Sequence, residues 1–238
     1  MKHFALILSA LLLTACGGGG APAPIAQVAS TSLFQVKQAY TNDFNATTPY
    51  TFTVSGSVVS SGVVGTVTGN GSVSQSLVSS ATFESAAAQR KTKTVNGSIN
   101  VSVAGNTSTT ALPTTSVTTF VSPAFDLLGF SSVDAYSRAA AATNIPTTAR
   151  VGDSGTVGTI YTFGPVPVDI QATSVITWAL SADTATTALL TLTQNTWNSV
   201  GTFVGTQTDV FRLTPSGGIT RLSGTSLLTG LGSLTFTY

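Results

Sequence analysis

Sulfur, imidazole and charge are what this chain has least of. Its 238 residues include one Cys, one Met and one His, and Asp, Glu, Lys and Arg together make up 7%, against about 25% in an ordinary domain. A lone Cys cannot form a disulfide within the chain, and Cys/His clusters of the structural-zinc kind cannot be assembled. Nine basic residues against eight acidic leave no dense positive surface for a phosphate backbone, so nucleic acid is excluded as a partner. Disorder driven by excess charge is excluded on the same ground. Hydroxyl takes the place of charge. Ser and Thr run throughout, beside 42% hydrophobic residues, which is ample for the core of a domain of about 200 residues.

The N-terminus has the layout of an export signal. Lys2 and His3 precede an apolar run from Phe4 to Leu13 broken only by Ser9, and small residues follow. About ten apolar residues are too few to span ~30 Å of hydrocarbon, so residues 1–15 are expected to be removed. Leu13-Thr14-Ala15-Cys16 resembles the lipobox of bacterial lipoproteins. The resemblance implies cleavage before Cys16, a diacylglyceryl group on its sulfur and an acyl chain on its amine. By the same resemblance, Gly17 where an Asp would signal retention implies the outer membrane. Two or more acyl chains hold a protein to a bilayer effectively for good, so the membrane is an expected partner through the N-terminal lipid. Residues 16–30, with GGGG and Ala21-Pro22-Ala23-Pro24, read as a flexible tether reaching at most ~50 Å. Cleavage would also remove His3 and Lys2, leaving eight basic residues (nine less Lys2) against eight acidic. A mature chain without His, whose one Cys is acylated, has no Ser-His-Asp triad, Cys nucleophile or imidazole metal site. No catalytic, metal or cofactor-binding residue is therefore assigned, and no cofactor is expected.

β signals dominate the remainder. In Pro49-Tyr50-Thr51-Phe52-Thr53-Val54-Ser55-Gly56, aromatic and β-branched residues alternate with hydroxyls, as a half-buried strand requires. Asn96-Gly97 within KTKTVNGSINVSV, residues 91–103, predicts a hairpin turn, and Gly69-Asn70-Gly71 predicts another between 63–68 and 72–78. Further strands are expected at 156–163, 173–180, 187–194, 203–213, 219–222 and 234–238, with a turn at Pro215-Ser216-Gly217-Gly218. Residues 107–119, nearly all Thr and Ser around Pro113, read as a low-complexity loop or edge. Helices are predicted over 31–42, with Leu33, Val36 and Tyr40 on one stripe, and over the Ala-rich 132–143. The fold expected is mainly β: antiparallel sheets in a sandwich or an open curved half-barrel, with a short N-terminal helix and one short helical connection. Two β subdomains, 31–144 and 145–238, divide it. FTVSGS (52–57), ATFES (81–85), IPTTARVGDSGTVGT (145–159) and ALSADTATTALLTL (179–192) resemble segments of exported β-rich bacterial proteins, which implies export and a β fold.

Three constellations bear on chemistry. Gly152-Asp153-Ser154-Gly155 resembles the nucleophile loop of trypsin-like serine proteases, but Thr156 departs from that family's pattern and the base is missing. The local reading is a turn before a strand. Eight acids, Asp43, Glu84, Asp126, Asp134, Asp153, Asp169, Asp183 and Asp209, are scattered along the chain. A carboxylate-dependent hydrolase needs two of them to converge across a cleft, and Asp126 and Asp134, in the expected helical connection, are the leading candidates. Arg90, Lys91 and Lys93 concentrate positive charge on one predicted strand, which suits either a charged edge or contact with anionic headgroups. The alternating C-terminus Gly230–Tyr238 resembles the last strand of outer-membrane β-barrels. These readings lead to a non-enzymatic binding or structural module on the outer membrane, with a protein partner or an apolar ligand. The alternatives are a carrier of apolar or lipid ligands, similar in architecture to periplasmic lipoprotein carriers, then a hydrolase or an outer-membrane barrel.

Overall fold

The computed structural model describes residues 29–60, 62–165 and 169–238; Cys16, the signal and most of the tether lie outside them. Among the described residues one helix, α1 (Val36–Asn45), precedes thirteen strands. These are β1 (Tyr50–Ser60), β2 (Val63–Gln75), β3 (Ser79–Phe83), β4 (Ala86–Val103), β5 (Asn106–Val121), β6 (Leu127–Ser131) and β7 (Tyr136–Ala139). The second half adds β8 (Ser154–Phe163), β9 (Ile170–Ala182), β10 (Ala188–Asn198), β11 (Phe203–Leu213), β12 (Ile219–Leu228) and β13 (Gly232–Thr237). The strands form one antiparallel sheet, and β1 pairs with β13 while β2 pairs with β4. Those two pairings close a ring of twelve strands; β3 continues below β2 against the first residues of β4.

The expected mainly-β, antiparallel class holds, but the architecture is a closed barrel, not a sandwich or an open half-barrel. Closure uses the first and last strands, so residues 31–144 and 145–238 share one sheet. The physical reason is edge chemistry. An open sheet would leave β1 and β13 with unpaired backbone groups, and mutual pairing removes both edges.

Two turn expectations are corrected. β2 passes straight through Gly69-Asn70-Gly71, and β4 passes through Asn96-Gly97 with a register shift beside Val95. These glycines face inward and pair across the β2–β4 seam, Gly71 with Gly97. A Cβ on Gly71 would lie 2.3 Å from the Phe52 ring, and one on Gly97 would lie 2.5 Å from the Asn70 carbonyl. They permit close strand approach under an aromatic ring. The actual β4–β5 turn is Ala104-Gly105, with φ +49° and +82°, the double positive φ of a tight hairpin.

Helix positions also differ. α1 begins four to five residues later than predicted and buries Val36, Ala39 and Phe44, while Leu33 stays exposed. Residues 132–143 hold no helix but a turn and β7, which pairs with both β6 and β8. Residues 107–119 lie within β5, paired to β4 along its length and to β6 only over 118–121.

Helix α1 closes one end of the ring. Its approach pairs Phe34 with Ala149, and the Gln35 amide donates to the Pro215 carbonyl at 3.2 Å. Lys37 bonds Asp126, and Asn42 donates to the Gly217 carbonyl at 2.8 Å. All these partners belong to loops at one rim. Inward residues form two apolar clusters. Phe34, Val36, Trp178, Leu190, Phe211 and Leu213 belong to the one under the helix, and Phe52, Val67, Val95, Ile99 and Phe236 to the other. Outward positions on β1 and β2 are hydroxyls and amides: Thr51, Thr53, Ser55, Thr66, Thr68, Asn70 and Ser72 are exposed. A membrane-spanning barrel presents an apolar band there, and these two strands present none.

Candidate functional site

Alternation decides which side chains enter the barrel. On β11 the inward set is Gly205, Gln207, Asp209, Phe211 and Leu213; on β4, Lys91 and Lys93 share the parity of Val95. Arg221 of β12 faces in beside Phe211. Together with Asp43 of α1, these residues place three cations and two acids inside the ring beneath the helix.

Asp43 is the hub. One Arg221 guanidinium nitrogen (Nη2) donates to both its oxygens at 3.2 and 3.1 Å, and Lys93 Nζ lies 3.4 Å from Oδ2. Burial would push this carboxyl up, but Lys93, Arg221 and Lys91 outweigh it and hold the group below the ordinary carboxylate range. The Arg221 guanidinium also sits 4.7 Å from the Phe211 ring centre and 5.4 Å from those of Tyr50 and Tyr238, a cage of ring faces that favours a cation. Lys91, 1% exposed, donates to the Ala46 carbonyl just past the helix. Burial and the neighbouring Lys93 bring its pKa down to about 8, against the pull of Asp43.

Asp209 is different. It is 2% exposed, its Oδ1 has no hydrogen-bond partner, and Oδ2 is 3.5 Å from the Gln207 amide. Burial pushes its pKa up to about 8, and the cations nearby only partly offset this. At neutral pH it is mostly the uncharged acid. Arg221 Nη1 is likewise buried without a partner.

Two cavities meet at this cluster. The smaller, about 120 Å³, lies against α1 and is lined by Ile176, Trp178, Leu190, Leu192 and Phe211 together with Lys91, Asp43 and Asp209. The larger, about 440 Å³, is lined by hydroxyl and amide groups such as Ser137, Thr162, Ser174, Thr196 and Gln207, interspersed with Val117, Ile160 and Leu228. Lys93, Thr119, Phe130 and Gln194 line both. The larger cavity rises to the end opposite the helix, where Val63, Val64, Val133, Val200, Leu227 and Leu231 are exposed on or beside the turns. The passage thus runs from an apolar rim through a hydroxyl-lined lumen to a charged floor.

The residues singled out from sequence fall in different places. Lys91 and Lys93 are enclosed, while Arg90 points outward and donates to Ser79 Oγ at 3.2 Å, so the three share no surface. β4 is paired on both sides and is no edge strand. Asp126 and Asp134 stand on either side of β6 and do not converge. Gly152 and Asp153 close a turn, with the Arg150 amide donating to Asp153 Oδ2 at 2.7 Å and Gly152 at φ +99°, while Ser154 and Gly155 already open β8. Sequence reasoning named Asp43 and Asp209 only among eight scattered acids, preferred Asp126 and Asp134, and did not single out Arg221. The signal for Asp209 was present: it stands at the same strand parity as Phe211 and Leu213.

No family model matches the chain, and no curated protein matches it. Among solved structures, a protein of Bacteroides fragilis described as exported and as having a YmcC-like fold is similar over 82% of this chain and 96% of its own. It shares 12% identity at a TM-score of 0.31. A likeness that distant carries no argument about this molecule.

Proposed function

We propose that this protein is an exported, non-enzymatic binding module. It is held to the outer membrane by acylated Cys16 and takes its ligand into the barrel lumen. The observation that carries the reading is the cavity of about 440 Å³ that runs from one end of the ring to the buried cluster. Barrels of about eight strands fill their interior with side chains or hold one small ligand, and diameter grows with strand number, so a ring of twelve has room for a ligand beside its own side chains. The lining favours a ligand with apolar and hydroxyl-bonding parts, an amphiphilic version of the apolar carrier reading. N-phenyl-1-naphthylamine, a neutral apolar fluorophore, should bind once per chain, and Thr196→Trp, which fills the lumen, should weaken binding at least tenfold. Affinity unchanged by that substitution would place the probe elsewhere and end the lumen reading. The intact mass of membrane-extracted protein should show a chain beginning at lipid-modified Cys16; an unprocessed leader would refute the anchor.

A second reading rests on one observation. Asp43 and Asp209 line the same small cavity, the first held ionised and the second protonated, the division of labour of a carboxylate-dependent hydrolase. Against it, both Asp43 oxygens are occupied by Arg221. Asp209→Asn separates the two: a binding module keeps its probe affinity, whereas a hydrolase loses any turnover of chromogenic glycosides.

A further inference from the structure

The ion-pair inventory inside the ring does not balance. Three cations, Lys91, Lys93 and Arg221, share one bonded carboxylate, that of Asp43. Arg221 takes both its oxygens, and Lys93 has only a 3.4 Å contact to an oxygen already engaged at 3.1 Å. Lys91 is bonded to backbone carbonyls. Asp209, the other acid facing the small cavity, bonds an amide and leaves Oδ1 open. A buried cation without a full partner is expensive. Arg221 Nη1 also lacks a partner but lines neither cavity, whereas Lys93, with its one 3.4 Å contact, lines both at their junction.

The chemistry on the two sides of that junction differs. Beyond it, under α1, the walls are mainly Ile176, Trp178, Leu190, Leu192 and Phe211, with Asp43, Lys91 and Asp209 also in the lining. Before it, toward the mouth, they are largely Ser, Thr, Asn and Gln. A molecule matched to this sequence of surfaces has an apolar end for the chamber, an acid group at the junction and hydroxyl-compatible atoms behind.

We propose that the lumen is a binding site for an amphiphile carrying one acid group, a carboxylate or a phosphate monoester. Its oxygens sit against Lys93, and its short apolar end occupies the chamber beneath helix α1. This rests on the lumen-binding reading above and adds the ligand's charge and orientation. The acid group completes the ion pairing that the chain leaves short, and Gln194 and Thr119 flank it as further hydrogen-bond donors.

Trp178 in the chamber wall provides the readout. In the full chain carrying Trp197→Phe, it is the one indole, and octanoate, octyl phosphate, octanol and octylamine are titrated against its fluorescence. Octanoate or octyl phosphate should bind at least tenfold more tightly than octanol, with octylamine weakest; whichever acid binds better identifies the headgroup source. Lys93→Gln should erase that preference, bringing the two acids to within about threefold of octanol measured on the same variant. Because Arg221 still holds Asp43, this variant keeps its helix anchored, and Lys93→Met serves as a second test should it not. Equal affinity for octanol and the two acids, or a preference that survives in both Lys93 variants, would overturn the charge assignment while the lumen reading stands. Failure of all four compounds to perturb Trp178 would overturn both.

Discussion

Asp209 has the local geometry of a group that resists ionisation, and this makes its contribution to stability run opposite to that of Asp43. An unfolded Asp titrates near ~3.9, whereas the folded barrel holds Asp209 at about 8, chiefly through burial. Between those pH values the folded state carries a proton that the unfolded state has released, so stability is fully present below about pH 4 and declines as pH rises toward 8. Asp43 behaves in the reverse sense, because its folded carboxyl is held low; its contribution is present above the ordinary carboxylate range and fades as pH falls below it. Lys91, brought down to about 8, remains protonated in both states through most of the window from pH 5 to 7.5. That window therefore isolates Asp209. Urea unfolding should show the wild-type chain losing a few kcal/mol between pH 5 and 7.5, and Asp209→Asn should remove most of that slope. Parallel profiles for the two proteins would mean that Asp209 is ionised in the folded state.

At the scale of elements, the strand-and-turn pattern follows the inward demands of a closed ring. Asn96-Gly97 has the composition of a hairpin turn, yet its glycine lies inside β4 against Gly71, with Phe52 over the seam. Ala104-Gly105 lacks an Asn or Asp, yet it turns the chain. A six-residue Gly/Ser insertion between Ala104 and Gly105 should shift the melting temperature by only a few degrees, because it lengthens an exposed loop tip. The same insertion between Asn96 and Gly97 should abolish the cooperative melt, since it interrupts pairing with both β2 and β5. Equal tolerance at both sites would restore the turn at Asn96. This contrast marks what could be read locally. Alternation placed β1 and β8 to β11 nearly correctly because hydroxyl and apolar residues there follow a period of two. The turn glycines misled because a residue without a side chain serves positive φ and close strand approach alike, and only the partner strand distinguishes them. The Ala-rich 132–143 segment went wrong for a related reason. Its helix propensity is weak beside the backbone pairing that β6 and β8 offer β7. The charged cluster was harder still, since Asp43, Lys93, Asp209 and Arg221 are brought together by ring closure across nearly 180 positions of sequence.

For the whole molecule, closure determines how the chain should come apart. Two halves with separate sheets would each own a core and melt apart from the other. Here the first strand completes the sheet begun by the last, and the helix plug draws Asp126, Ala149 and Gly217 to one rim. The two apolar clusters are not independent either, because Phe130 packs against both. The ion-paired floor adds a further tie, joining α1, β4 and β12 through Asp43. A domain linked this way has no internal boundary at which to divide, and loss of any wall segment opens the ring for all of it. Differential scanning calorimetry should accordingly give one transition whose van't Hoff and calorimetric enthalpies agree. Arg221→Met, which leaves Asp43 without its principal partner, should lower that single transition by about 3–5 kcal/mol of stability without splitting it. Two resolved peaks in the wild-type protein, or a low-temperature shoulder confined to the variant, would show that the residues before and after position 144 fold as separate units and that ring closure does not govern the molecule.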